Sequence, residues 1–148
     1  IDLDKIGDYK NIDYGNYQAG VLDELMKDGY ILTGADLLYE DSVPHGSGLS
    51  SSAAFEVMVG NILNYFYNDG QVDNVEIAKM AQFAENEFFG KPCGLMDQTA
   101  CAVGGFITID FEDPKNPKIG KIDFDLTKAG YNLCIVDTGG NHADLNED

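Results

Sequence analysis

An α+β fold is what the sequence predicts, for three reasons. Amphipathic helical stretches and alternating, strand-like stretches follow one another without a regular βα rhythm. Two alternating runs flank the turn Asp113-Pro114-Lys115-Asn116-Pro117, the pattern of a β-hairpin. With 148 residues and 44% hydrophobic side chains, the chain can bury one core, so residues 1–148 are expected to form a single domain.

The elements follow in order. Tyr17 to Lys27 sets Val21, Leu22, Leu25 and Met26 at helical spacing and meets a stop at Asp28-Gly29. Gly34 to Glu40 reads as a strand. From Ser51 to Tyr67 apolar residues dominate, and Glu56, Gly60 and Asn64 recur at i, i+4 and i+8 as a narrow polar stripe on a largely buried helix. Asp73 followed by Glu76 gives a capping-box-like start to a helix over Asn74 to Phe89, with Ala78, Ala81 and Phe88 inward and Gly90-Lys91-Pro92 as its end. Gln98 to Val103 is a short helix. Phe106 to Phe111 and Ile119 to Leu126 alternate and form the hairpin. Tyr131 to Asp137 is more continuously apolar and is expected at the centre of a sheet, through Leu133, Cys134, Ile135 and Val136. Tyr65, Phe66 and Tyr67 read as core and rim packing, since no basic residues flank them as a base-stacking site would require.

Nine Lys and Arg against 26 Asp and Glu give a net charge of −17, which repels nucleic acid and anionic membrane alike. Neither is expected as a partner. A polyanionic ligand would also be repelled, so binding one requires local backbone dipoles and a divalent cation. Most of the acidic residues read as solvated surface. Cys93, Cys101 and Cys134 are an odd, widely spaced set that suggests neither zinc nor a disulfide framework but reduced thiols, hence a cytoplasmic location. No apolar run approaches the roughly 20 residues that span a bilayer. Because Ile1 is not an initiator methionine and Asp148 stops in a polar run, the chain is expected to be an internal piece of a longer polypeptide.

The most informative stretch is Pro44-His45-Gly46-Ser47-Gly48-Leu49-Ser50-Ser51-Ser52-Ala53-Ala54, a glycine and serine loop running into a helix. Gly46 and Gly48 allow close approach of backbone to a ligand, and the serines set hydroxyls beside the unpaired N–H groups of a first helical turn. One reading is a Ser-capped helix after a tight turn; the other is a cradle for phosphates at the positive end of the helix. It is not a Walker A loop, since Leu49 rather than lysine follows Gly48, and the spacing is not GxGxxG.

Two carboxylates stand out. Glu85 lies at the edge of the packing face of its helix, four residues after Ala81, and is open to two readings: a surface glutamate, or with Ser52 an oxygen donor to a hard cation bridging phosphates. Asp97, in Pro92-Cys93-Gly94-Leu95-Met96-Asp97-Gln98, is either the N-cap of the helix that follows or a carboxylate that accepts or orients the proton of a sugar hydroxyl during phosphoryl transfer. His45 and His142 are loop histidines with no assigned role.

Taken whole, the loop Pro44 to Ala54 resembles the second motif of the GHMP kinases. The run from Ala84-Glu85 through Gly90-Lys91-Pro92-Cys93-Gly94-Leu95-Met96-Asp97-Gln98 is similar to the galactokinase branch of that family, and Asp137-Thr138-Gly139-Gly140-Asn141-His142-Ala143-Asp144 resembles its post-strand loop near the sugar. The resemblance runs from about Tyr17 to the end with motif order intact. It implies the GHMP-kinase N-terminal domain, a ribosomal protein S5 domain 2-like α+β sandwich with a left-handed crossover against the usual handedness. It further implies Asp97 as the catalytic aspartate facing the anomeric hydroxyl of galactose, and Gly94 as a backbone contact to the sugar. Ser52 and Glu85 would hold Mg²⁺, and Pro44, Gly46, Ser47, Gly48, Leu49, Ser50, Ser51 and Ser52 would bind ATP.

The chain departs from the family at both ends. The N-terminal signature that supplies an arginine and sugar-binding polar residues is absent, as is the C-terminal glycine-rich motif, so the chain reads as the central part of such a kinase, and alone as an incomplete, inactive active site. A kinase for another sugar, galacturonate or arabinose, and a regulator that binds galactose and ATP without transfer are the alternatives.

Overall fold

The computed structural model describes residues 1–12, 15–44 and 47–136. A 3-10 helix over Leu3–Asn11 opens the chain, an element the sequence pattern did not suggest; the Asp2 carboxylate accepts from the Asp4 N–H at 3.1 Å and caps it. Helix α1 (Asn16–Lys27) follows, ending before Gly29 at φ +85° as the Asp-Gly stop predicts. Its inward face is Ala19, Gly20, Val21 and Leu25, whereas Met26 is exposed. Gly20 is what lets α1 approach the chain at Ala84, since a Cβ there would stand 2.6 Å from the Ala84 methyl.

Helix α2 (Ser51–Tyr67) has the predicted bounds, but its polar stripe faces inward: Glu56, Gly60 and Asn64 are all buried. Each has its own reason or lack of one. Gly60 admits Ile77, whose Cγ2 would lie 2.9 Å from an added Cβ. Asn64 clasps the following turn, its amide donating to the Val72 carbonyl at 2.9 Å and its Oδ1 accepting the Val72 N–H at 3.0 Å. Glu56 has no such partner. The exposed side of α2 carries Tyr65 and Phe66, so the expected core and rim packing of the aromatic triplet holds only for half-buried Tyr67, whose hydroxyl donates to the Gly34 carbonyl.

Helix α3 (Asn74–Phe83) starts at an Asp73 cap, with Oδ1 accepting from the Val75 and Glu76 N–H groups at 2.8 and 3.1 Å, a contribution of about 1 kcal/mol. Glu76 does not return the bond; it pairs with Lys79 at 2.6 Å. The predicted helix to Phe89 then changes winding, as Ala84–Phe88 forms a π-helical turn closed by the Phe89 N–H on the Ala84 carbonyl. Gly90 at φ +71° ends it, and α4 (Met96–Val103) begins two residues before the predicted start. Ala78, Ala81 and Phe88 are buried as expected.

Strands β1 (Phe106–Asp110) and β2 (Lys118–Ile122) form the predicted hairpin, antiparallel from Phe106 opposite Ile122 to Asp110 opposite Lys118. The second strand stops at Ile122 rather than Leu126. Helices α1 to α4 pack on one another around Val21, Leu25, Val57, Val59, Leu63, Ile77 and Met80, and β1 touches α4.

Two predicted strands do not form among the described residues. Residues 34–40 run without regular pairing, with Leu38 fully exposed, and residues 131–136 do the same, with Leu133 at 80% and Val136 at 78% exposure; Asp137 lies outside the described residues. The physical reason is that a strand forms only against a neighbour that takes up its N–H and C=O groups, and apolar patterning cannot supply that neighbour. Among the described residues the only sheet is the hairpin, so it contains no crossover. No described helix is long and apolar enough to cross a membrane.

Candidate functional site

The serine loop does not end in a capped helix. Gly48 takes φ +72° and Ser50 takes φ +59°, ψ 42°, a left-handed conformation that costs a non-glycine residue about 1 kcal/mol or more, and the Ser50 side chain makes no capping bond. The Ser-cap reading therefore fails. Ser47 Oγ instead donates to the Pro44 carbonyl at 2.5 Å, Pro44, Ser47, Gly48 and Leu49 are exposed, and Ser50, Ser51 and Ser52 are half-buried at the start of α2. The amides of that first turn have no partner within the helix, and the helix dipole adds positive potential there. His45 and Gly46 lie outside the described residues, as does the whole stretch Asp137 to Asp144.

Ser52 opens onto a cavity of about 180 Å³ that Glu85, Cys93, Gly94, Asp97 and Gln98 also line. The residues singled out for a cation, a sugar contact and proton transfer thus meet at one place, from three separate elements.

Glu85 is 3% exposed and not a surface glutamate. Its position on the π-helical turn brings Lys91 back onto it twice: the Lys91 N–H donates to the Glu85 carbonyl at 2.8 Å, and Lys91 Nζ donates to Oε1 at 3.1 Å. Asp97 is not an N-cap either. Leu95 occupies the cap position of α4, with no side-chain cap, and Asp97 sits within the first turn, half-buried at the cavity.

The loop between them is fixed by amides that the sequence reading missed. Asn86 Oδ1 accepts the Cys93 N–H at 2.6 Å, while Asn86 Nδ2 and Gln82 Nε2 donate to the Cys93 carbonyl at 3.2 and 3.1 Å. Gln98 Nε2 reaches Cys93 Sγ at 3.4 Å. Burial, and then the Glu85 carboxylate, push the Cys93 thiol up to about 12, so it stays protonated and is no nucleophile at neutral pH. Cys101 and Cys134 are free and exposed.

Glu56 is the other residue the sequence reading missed, treated there as part of a polar stripe. It is fully buried one helical turn beyond Ser52, and neither carboxylate oxygen has a hydrogen-bond partner. Burial first, and the charge of Glu85 second, raise its pKa to about 9 against the opposing pull of Lys91. Burial also raises the Tyr17 phenol, against Lys91 and with help from Glu85 and Glu56. For Lys91, burial pulls the other way, but the hydrogen bond and charge of Glu85 outweigh it and the pKa rises. Its i+4 relation to Ser52 was the available signal for Glu56; for Lys91 it was a cation six residues after Glu85, just past the glycine that ends the helix.

Ser52 hydroxyl and Glu85 carboxylate are hard oxygen donors that fit Mg²⁺, while the unpartnered carboxyl of Glu56, kept protonated at neutral pH by its burial, adds no charge to the site. No group of three or more His, Cys, Asp and Glu able to hold a metal occurs among the described residues. A cation here would complete its shell with ligand phosphates and water. A second cavity of about 250 Å³, between α1, α2 and residues 33–39, is lined by Leu22, Leu37, Tyr39, Val59 and Leu63 and contains none of the predicted site residues.

The model of the GHMP kinases N terminal domain matches residues 16–105. The chain is 43% identical to a galactokinase of Bacillus subtilis over 145 residues, 92% of this chain and 34% of that protein. It is 46% identical to a galactokinase of Clostridium acetobutylicum over 137 residues, 92% and 34% of the two chains. With a galactokinase of Clostridium tetani it shares 45% identity over 104 residues, 70% of this chain and 26% of that one. The chain thus spans about a third or less of the length of these relatives.

Proposed function

The chain belongs to the GHMP kinase family, and we propose that it is the central part of a cytoplasmic galactokinase, transferring the γ-phosphoryl group of ATP to the anomeric hydroxyl of galactose. The observation that carries this reading is the single cavity shared by Ser52, Glu85, Gly94 and Asp97. Its volume suits a cation and the reacting groups rather than a whole nucleotide, which would extend from there over half-buried Ser51 and Ser50 to exposed Leu49, Gly48, Ser47 and Pro44.

In this reading each residue has one task. The amides at the start of α2 and the serine hydroxyls hold phosphate oxygens. Ser52 and Glu85 hold Mg²⁺, which when bound supplies charge neutralisation between phosphates. Gly94, without a side chain, lets the sugar approach the backbone held by Asn86 and Gln82. Asp97 accepts or orients the proton of the attacking hydroxyl. Positioning and preorganised charge account for most of the rate.

The galactose assignment draws on the names of the relatives, and a substrate panel tests it. Coupled ADP release by the full-length protein with Mg-ATP should be fastest with galactose; a preference for galacturonate or arabinose would reassign the sugar, and no ADP with any sugar would point to a binding regulator.

A further inference from the structure

Glu85 and Lys91 form an ion pair with unequal members. The Glu85 side chain is 4% exposed, and the Lys91 side chain is 55% exposed. A buried carboxylate cannot stay ionised without a counter-charge, so in the absence of any other cation the ammonium supplies it. The lysine reaches in from water and can leave again without uncovering any core. Its backbone stays anchored when the side chain leaves, because the Lys91 N–H remains bonded to the Glu85 carbonyl at 2.8 Å.

The surroundings make the position one for a cation rather than for lysine in particular. Glu56, fully buried and without a hydrogen-bond partner on either oxygen, is kept protonated by that burial and offers Glu85 no counter-charge. Ser52, one turn before Glu56, and Glu85 both face the cavity. A divalent ion at Glu85 would bring two charges where Lys91 brings one, and an ammonium held on the same carboxylate repels it.

We infer that Lys91 is a built-in counter-ion that occupies Glu85 until a divalent cation displaces it, so that Lys91 sets how tightly the site holds its cation. It is a positioning residue, acting through Glu85, and the inference rests on the reading of Glu85 as a cation ligand. By linkage, whatever the ammonium gains on Glu85 the cation must lose.

The test is Mn²⁺ titrated into the full-length protein holding a non-hydrolysable ATP analogue, with free Mn²⁺ read by electron paramagnetic resonance. Lys91→Gln and Lys91→Met should both tighten Mn²⁺ binding about tenfold, within the usual range of coupling between two competing ligands. Lys91→Arg, which keeps the ion pair, should stay within about twofold of the native protein, whereas a purely structural role would weaken binding in the neutral variants. Glu85→Gln is the control for the underlying reading and should lose the site. If Glu85→Gln loses it but both neutral Lys91 variants bind Mn²⁺ equally or more weakly, the counter-ion role is overturned and the ligand reading stands. If Glu85→Gln binds as before, the ligand reading falls and the inference with it.

Discussion

The corner where α2, the π-helical turn and α4 meet and the segments at residues 34–40 and 131–136 differ in one respect that matters. The corner satisfies its own backbone. Its helices close their hydrogen bonds within themselves, and its loop is held by Asn86, Gln82 and Gln98. The segments carry side chains suited to a sheet, yet Leu38, Leu133 and Val136 stand in water. Burial therefore follows from where a backbone finds its partners, not from how apolar its side chains are. Among the described residues the corner is the part whose loop is pinned by side-chain amides, the kind of support a preorganised site needs.

The largest effect that could break this contrast is at the corner. In the full-length protein Asp97→Asn should lower turnover by about 10³-fold, the range for loss of a group that handles a proton in the transition state, while nucleotide affinity measured by calorimetry changes little. Unchanged turnover would reduce the corner to scaffold and remove its functional distinction from the exposed segments.

The same contrast explains what was legible in the residues. Helix signals are local: the Asp73 cap, the Asp28-Gly29 stop and the apolar spacing from Ser51 to Tyr67 each sit within a few residues of what they determine, and all three elements are where the pattern puts them. The hairpin was legible too, since its turn lies between its strands. The segments at 34–40 and 131–137 depend on neighbours far away in sequence, and alternation does not name them. The stripe of Glu56, Gly60 and Asn64 was misleading because helix periodicity groups residues on a face without telling which face is inward, and here a glycine contact and an asparagine clasp turn the polar face to the core. The meeting of Ser52, Glu85, Gly94 and Asp97 at one cavity followed from motif resemblance, whereas spacing alone left Glu85 and Asp97 with ordinary alternatives that burial and cap geometry then removed.

A second, smaller effect sharpens the contrast through pH. Glu56 titrates at about 9 in the folded chain against an ordinary 4.5, so between those values the folded state holds a proton that the unfolded state has released. Stability is then fully present below about pH 4.5 and falls as pH rises toward 9, by at most about 1.4 kcal/mol per pH unit from this group. Glu56→Gln should flatten that slope and stabilise the chain above neutrality, read by urea denaturation at several pH values. A slope unchanged by the substitution would mean that the carboxyl finds water or a cation, and that the corner is less dry than its geometry implies.

The smallest effect belongs to the other side of the comparison. Leu133→Ser and Leu38→Ser remove large apolar side chains from residues that stand in water, so no buried area is lost and no cavity is created. Each should change the unfolding free energy of the 148-residue chain by no more than about 0.5 kcal/mol, the ordinary range for surface substitutions. Truncation of a packed leucine costs about 2–5 kcal/mol by contrast, because transfer and cavity terms add. A loss in that upper range at either position, seen as a shifted urea midpoint with an unchanged slope, would mean that the segment has found a pairing neighbour in solution. The corner and the segments would then differ only in where their partners come from.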